Sequence, residues 1–72
     1  MSKQKLKGVA LAIKRAGGQT QFAEALGVTQ QAVSKWALQG YIPVLRVVEV
    51  EQLTKVPRSQ LVNPRLHELV RR

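Results

Sequence analysis

Residues 19–36, QTQFAEALGVTQQAVSKW, constrain this chain more than any other stretch. Phe22, Ala23 and Leu26 recur at helical spacing and give a short helix over 20–26 one face to bury. Gly27 stops that helix, because the left-handed conformation that closes a helix is least costly without a Cβ. Val28 plugs the corner, and Thr29 is placed to N-cap a second helix. Val33, Trp36 and Ala37 are spaced as the buried face of that helix. Trp36 sits with Val33, so it reads as core rather than as a platform for base stacking. Phe22, Ala23, Leu26, Gly27, Val28, Val33 and Trp36 are therefore the structural set, and Gln30, Gln31, Ser34 and Lys35 are left polar and free.

One helix wedged behind another, the second presenting amides, a hydroxyl and an ammonium, is what a reader of base edges needs. The spacing predicts a helix-turn-helix over 19–38. Composition points the same way. Twelve Lys and Arg against four acidic residues give a net charge of +8 on 72 residues. Solubility alone accounts for some excess, but a strongly basic small domain carries the electrostatic footprint of a nucleic-acid binder. The chain has no cysteine, so disulfide staples and thiolate metal sites are excluded. A single histidine, His67, builds no metal site, and no nucleophile–base pair or glycine-rich phosphate loop is present. An enzyme, a cofactor and a small-molecule substrate are not expected. Lys3, Lys5 and Lys7 resemble the start of a signal peptide, but 9–13 is too short an apolar run and Lys14-Arg15 follow at once. No run approaches the ~20 residues of a membrane span, so a cytoplasmic, nucleoid-associated protein with no membrane partner is expected.

Elsewhere the pattern is helical too. Leu6, Val9, Ala10 and Ile13 predict an amphipathic helix over 6–16, ended by Gly17-Gly18, with Lys14 and Arg15 suiting its own negative end. Pro43 fits the first turn of a helix over 43–54, with Val44, Val47, Val48 and Leu53 as its apolar residues. The alternation Val48-Glu49-Val50-Glu51 leaves a strand as the competing reading. Residues 59–62 suit a single turn. Asn63-Pro64 suits the cap and first position of a last helix whose Leu66, Leu69 and Val70 either seal the core or meet a second protomer.

The span AGGQTQFAEALGVTQQAVSKW, followed by GYIP and VVEVEQLT, resembles the Cro repressors of temperate phages. It is most similar in pattern to the Cro-like YdaS antitoxin group of bacterial prophages. The resemblance runs from about residue 13 to 54 and implies a lambda-repressor-like DNA-binding domain. It implies that Thr29, Gln30, Gln31, Ser34 and Lys35 reach base edges, with Gln19 and Thr20 at phosphate. Glutamine suits adenine N6 and N7, lysine suits guanine O6 and N7, and a helix N-terminus suits phosphate. Ser34 and Gln31 differ from the side chains of the lambda protein, so its operator does not transfer. The region after Leu53 lacks a closing strand and looks like the all-helical Cro proteins.

These readings predict one all-α domain over 1–72, a compact bundle of four to five helices, with 57–72 available for dimerisation. The expected function is a Cro-like prophage repressor. It would bind double-stranded DNA as a homodimer on a two-fold symmetric operator and exclude polymerase. Lys3, Lys5 and Lys7 are further phosphate candidates or a solvated start. Arg71 and Arg72 pose the same question. Leu38, one turn beyond Ser34, meets either a thymine methyl or a neighbouring protein, and Tyr41 either supports the next helix or touches phosphate. Two rival functions remain: an antitoxin-type module that neutralises a protein partner, and a charge-driven binder indifferent to sequence. The buried corner around Trp36 argues against the second.

Overall fold

The computed structural model describes residues 6–65, and every regular element among them is helical. Helix α1 is Gly8–Ala16, α2 Gln19–Leu26, α3 Gln30–Gln39 and α4 Val44–Thr54, followed by a 3₁₀ turn at Arg58–Gln60. Helix α1 packs on α2, α3 and α4, and α2 packs on α3. Phe22, Val33, Ile42, Val50, Val56 and Leu61 are the largest fully enclosed side chains among the described residues.

The turn between α2 and α3 forms as its residues require. Gly27 adopts φ 70° and ψ 32°. Its N–H donates to the Glu24 carbonyl, and the Val28 N–H reaches back to Ala23 at 3.0 Å, satisfying two orphan carbonyls. Thr29 Oγ1 then accepts the Ala32 N–H at 3.1 Å and caps α3. Phe22 and Trp36 meet edge to face, with ring centroids 6.3 Å apart and planes at 88°. That geometry suits the ring quadrupoles and fixes the angle at which α3 crosses α2. Trp36 is thus core, as its spacing predicts.

Several expectations need correction. Helix α1 begins at Gly8, not at residue 6, and Leu6 is exposed. Its buried positions are Gly8, Val9 and Ala12, with Leu11 and Ile13 half-buried and Ala10 outside. Both sides of α1 carry apolar residues, so spacing alone did not select the side. In α3, Ala37 is exposed and Ala32 takes its place beside Val33 and Trp36. Pro43 precedes α4 as its cap residue, with ψ 140°. Within α4 the buried stripe is Val47, Val50 and Thr54, while Val44, Val48 and Leu53 face out. The strand alternative for 48–51 is excluded: Val47 and Val50 pack inward at helical spacing, as α1 demands.

Three core residues lie outside any periodic segment. Ile42, Val56 and Leu61 are at most 1% exposed. The Ile42 N–H donates to the Leu61 carbonyl at 2.8 Å, tying the α3–α4 corner to the strap after α4. One residue earlier in the strap, Gln60 Oε1 accepts the Gly8 N–H at 3.1 Å. Thr54, the buried polar residue, donates to the Val50 carbonyl at 2.8 Å. Asn63 Oδ1 accepts the Arg65 N–H at 2.9 Å, the cap geometry expected there. Leu66, His67, Leu69, Val70, Arg71 and Arg72 lie outside the described residues, as do Lys3 and Lys5.

Candidate nucleic-acid interface

Helix α3 has two faces of opposite character. Val33 and Trp36 are buried, whereas Gln30, Gln31 and Lys35 are exposed. Side chains three and four apart share a face, so Gln30, Ser34 and Leu38 form one outward row and Gln31 and Lys35 another. Leu38 is 90% exposed at the end of the first row. The major groove admits an α-helix, and this face carries donors, acceptors and one apolar group. Thr29 stands at the mouth of the helix, its oxygen engaged by the Ala32 N–H and its own hydrogen uncommitted among the described residues.

Gln19 and Thr20 open α2 and are exposed, and no side chain among the described residues caps that helix. Its free first-turn N–H groups suit an anion. Gln19 does more than the sequence suggested. Ser34 Oγ donates to Gln19 Oε1 at 2.9 Å, which brings the first residue of α2 onto the outward face of α3. No periodicity links positions fifteen apart across a turn; only the crossing angle of the two helices does. Lys7 precedes α1, and among the described residues no hydrogen bond joins it to α2 or α3.

Three of the four described arginines are occupied within the fold. Arg15 Nη1 donates to the Thr54 carbonyl at 2.9 Å, so its partner is the C-terminus of α4 rather than its own helix end. Arg46 Nη1 donates to the Leu26 carbonyl at the end of α2 and pairs with Glu49 at 3.1 Å. Both guanidiniums sit at the negative end of a helix other than their own. Arg58 pairs with Glu51 at 2.9 Å and holds that carboxyl below its ordinary range. Lys7, Lys14, Lys35, Lys55 and Arg65 make no ion pair with another described residue. Tyr41 is half-buried. No described helix is long and apolar enough to cross a membrane.

The family described as "Bacterial toxin YdaS" matches residues 9–63. Its description names a toxin, where the resemblance read from sequence was to an antitoxin group. The chain is also similar in structure to the Cro protein from putative prophage element Xfaso 1 in Xylella fastidiosa strain Ann-1. The two share 31% sequence identity over 72% of this chain and 85% of that one, with a TM-score of 0.66. No curated protein matches it significantly. With the match extending from α1 past the 3₁₀ turn and a prophage Cro protein sharing its fold, the chain belongs to the YdaS family of Cro-like prophage proteins.

Proposed function

We propose that the protein is a sequence-specific DNA-binding regulator that lays α3 in the major groove and represses by occupying an operator. The observation that carries this is the outward face of α3. Gln30, Gln31, Ser34, Lys35 and Leu38 are presented there by a helix whose opposite side is locked by Val33 and Trp36. Thr29, Gln30, Gln31, Ser34 and Lys35 read bases in this account. Gln19 and Thr20 meet phosphate, and Lys7 adds a diffuse attraction with the unpaired lysines. One such helix reads too few base pairs for a selective site. Two protomers on half-sites about 34 Å apart supply the rest, which makes the functional unit a homodimer on DNA.

A second reading draws on the family's toxin description and on α4. Val44, Leu45 and Val48 are 60%, 93% and 47% exposed, an apolar surface that a protein partner could use. In the described part of the C-terminal segment Leu61 is committed to the core, as is Val56 just before it.

In-vitro selection from random duplex DNA, with binding titrated at two salt concentrations, separates these readings. Enrichment of a two-fold symmetric site is expected. Gln30→Ala and Lys35→Ala should each cost roughly 1–3 kcal/mol on that site and relax it locally. Salt-sensitive binding with no enriched site would refute the proposal and direct attention to α4.

A further inference from the structure

We infer that the Gln19–Ser34 hydrogen bond turns Ser34 into a one-way reader. Its hydroxyl can only accept, so it contacts the exocyclic amino group of its base pair, adenine N6 or cytosine N4. This rests on the reading that α3 enters the major groove, and it specifies what one side chain recognises there.

A serine hydroxyl has one hydrogen and two acceptor lone pairs. The Ser34 hydrogen is directed at Gln19 Oε1, 2.9 Å away, so only lone pairs face outward. In the major groove, adenine N6 and cytosine N4 donate, whereas guanine N7 and O6, adenine N7 and thymine O4 accept. A hydroxyl polarised this way opposes lone pair to lone pair at any of the second group. Each base pair carries one such amino group, on one strand or the other. The contact therefore reports which strand holds it.

The other polar groups on this face have more freedom. Gln30 and Gln31 carry both a carbonyl and an amide N–H₂ and turn to suit either kind of partner. Lys35 only donates. Thr29 provides the opposite case: its oxygen accepts the Ala32 N–H, and its hydrogen is left to donate. Two hydroxyls at one surface thus have opposite polarity, each fixed by a contact inside the protein.

The orientation of Gln19 is set from both sides. With Oε1 on Ser34, its N–H₂ makes no hydrogen bond to another described residue and is left available beside the uncapped first turn of α2. A phosphate there accepts from that N–H₂, whereas the reversed amide would aim a carbonyl oxygen at it. Backbone contact and base contact therefore select the same rotamer. In water so exposed a bond contributes little, because water competes for both groups. In the groove, with water displaced, a mispaired hydroxyl becomes costly.

The test starts from the site enriched by the wild-type protein and locates the base pair at which Ser34→Ala relaxes preference. At that pair, purine replaces adenine, or 2-pyrimidinone replaces cytosine, which deletes the amino group alone. Wild-type affinity should fall about three- to tenfold, and Ser34→Ala affinity should not change. In Gln19→Ala the hydroxyl hydrogen is released, and sensitivity to the amino deletion should largely disappear. Gln19→Glu supplies an acceptor for Ser34 but repels phosphate, so it should keep that sensitivity while weakening every sequence alike. Far-UV circular dichroism checks that each variant is folded. Sensitivity to 7-deaza substitution with none to amino deletion would overturn the inference. So would a Ser34→Ala variant that relaxes no position, or a Gln19→Ala variant that keeps full amino sensitivity. These results leave the proposed function standing; failure to enrich any site removes both.

Discussion

Gly8 and Gly27 both have a positive φ, 65° and 70°, yet alanine is expected to act very differently at the two. A positive φ costs an L side chain about 1–2 kcal/mol, and that component is common to both. The difference is space. A Cβ on Gly27 meets nothing within 4 Å, whereas a Cβ on Gly8 lies 2.9 Å from the Gln60 carbonyl oxygen. That oxygen is backbone, so the strap must move away as a unit. Moving it stretches the 3.1 Å bond from the Gly8 N–H to Gln60 Oε1, whose loss costs about 0.5–1.5 kcal/mol. It also loosens Leu61, which is fully enclosed. Gly8→Ala should therefore destabilise by about 2–4 kcal/mol and Gly27→Ala by about 1–2 kcal/mol. At about 4–8 °C per kcal/mol for a domain of this size, the two melting temperatures should differ by roughly 4–16 °C. Thermal unfolding followed by far-UV circular dichroism and by Trp36 fluorescence, at one pH and one salt concentration, measures this. Equal melting temperatures, or a lower one for Gly27→Ala, would refute the argument from the strap.

Other outcomes follow from the same structure. Lys55 is the non-glycine residue with positive φ among those described, at 64°. Lys55→Gly relieves that strain against a smaller entropic loss, so it should stabilise by up to about 1 kcal/mol in the same melting assay. Arg58 depresses the Glu51 pKa through their hydrogen bond, so the pair's stabilisation is full above the ordinary value of 4.5 and fades as pH falls through the lowered folded value. Urea unfolding should show Glu51→Gln less stable than wild type at neutral pH, with the gap closing in acid. Leu38→Ala should weaken operator binding about fourfold, from one methyl-sized apolar contact of about 0.8 kcal/mol. It should also abolish the response to replacing a thymine with deoxyuridine at one position per half-site. An equal response in wild type and variant would remove Leu38 from the interface.

The parts legible in sequence were those set by neighbours along the chain. Gly27 and Thr29 specify the turn because a left-handed end and a side-chain cap involve atoms at most five residues away. The face of α4 was not legible in this way. Valines at 44, 47, 48 and 50 surround most of the helix, and only packing against α1 selects Val47 and Val50. Ile42, Val56 and Leu61 carry no period, so no pattern marks them as core. Arg15 looked like a partner for its own helix end, yet the Thr54 carbonyl, 39 residues away, holds it. Within the interface, the exposure of Gln30, Gln31 and Lys35 follows from the buried Val33 and Trp36. The Gln19–Ser34 bond follows only from the crossing of α2 and α3.

The bond between Gly8 and Gln60 joins residues 52 apart in sequence, and this has a consequence for synthesis. A chain emerging from the ribosome presents α1, then α2 and α3, long before Val56 and Leu61 exist to close the core. Early helices form and fray until the strap arrives, because contacts of this separation form only after their loop-closure entropy has been met. Closure of the core is thus deferred until Gln60 and Leu61 have been made. A product cut short before Leu61 carries every base-reading candidate yet lacks the residues that hold α1 against the α3–α4 corner. Such fragments would be open to proteases, and few would persist to compete with the closed domain for whatever its outward face binds.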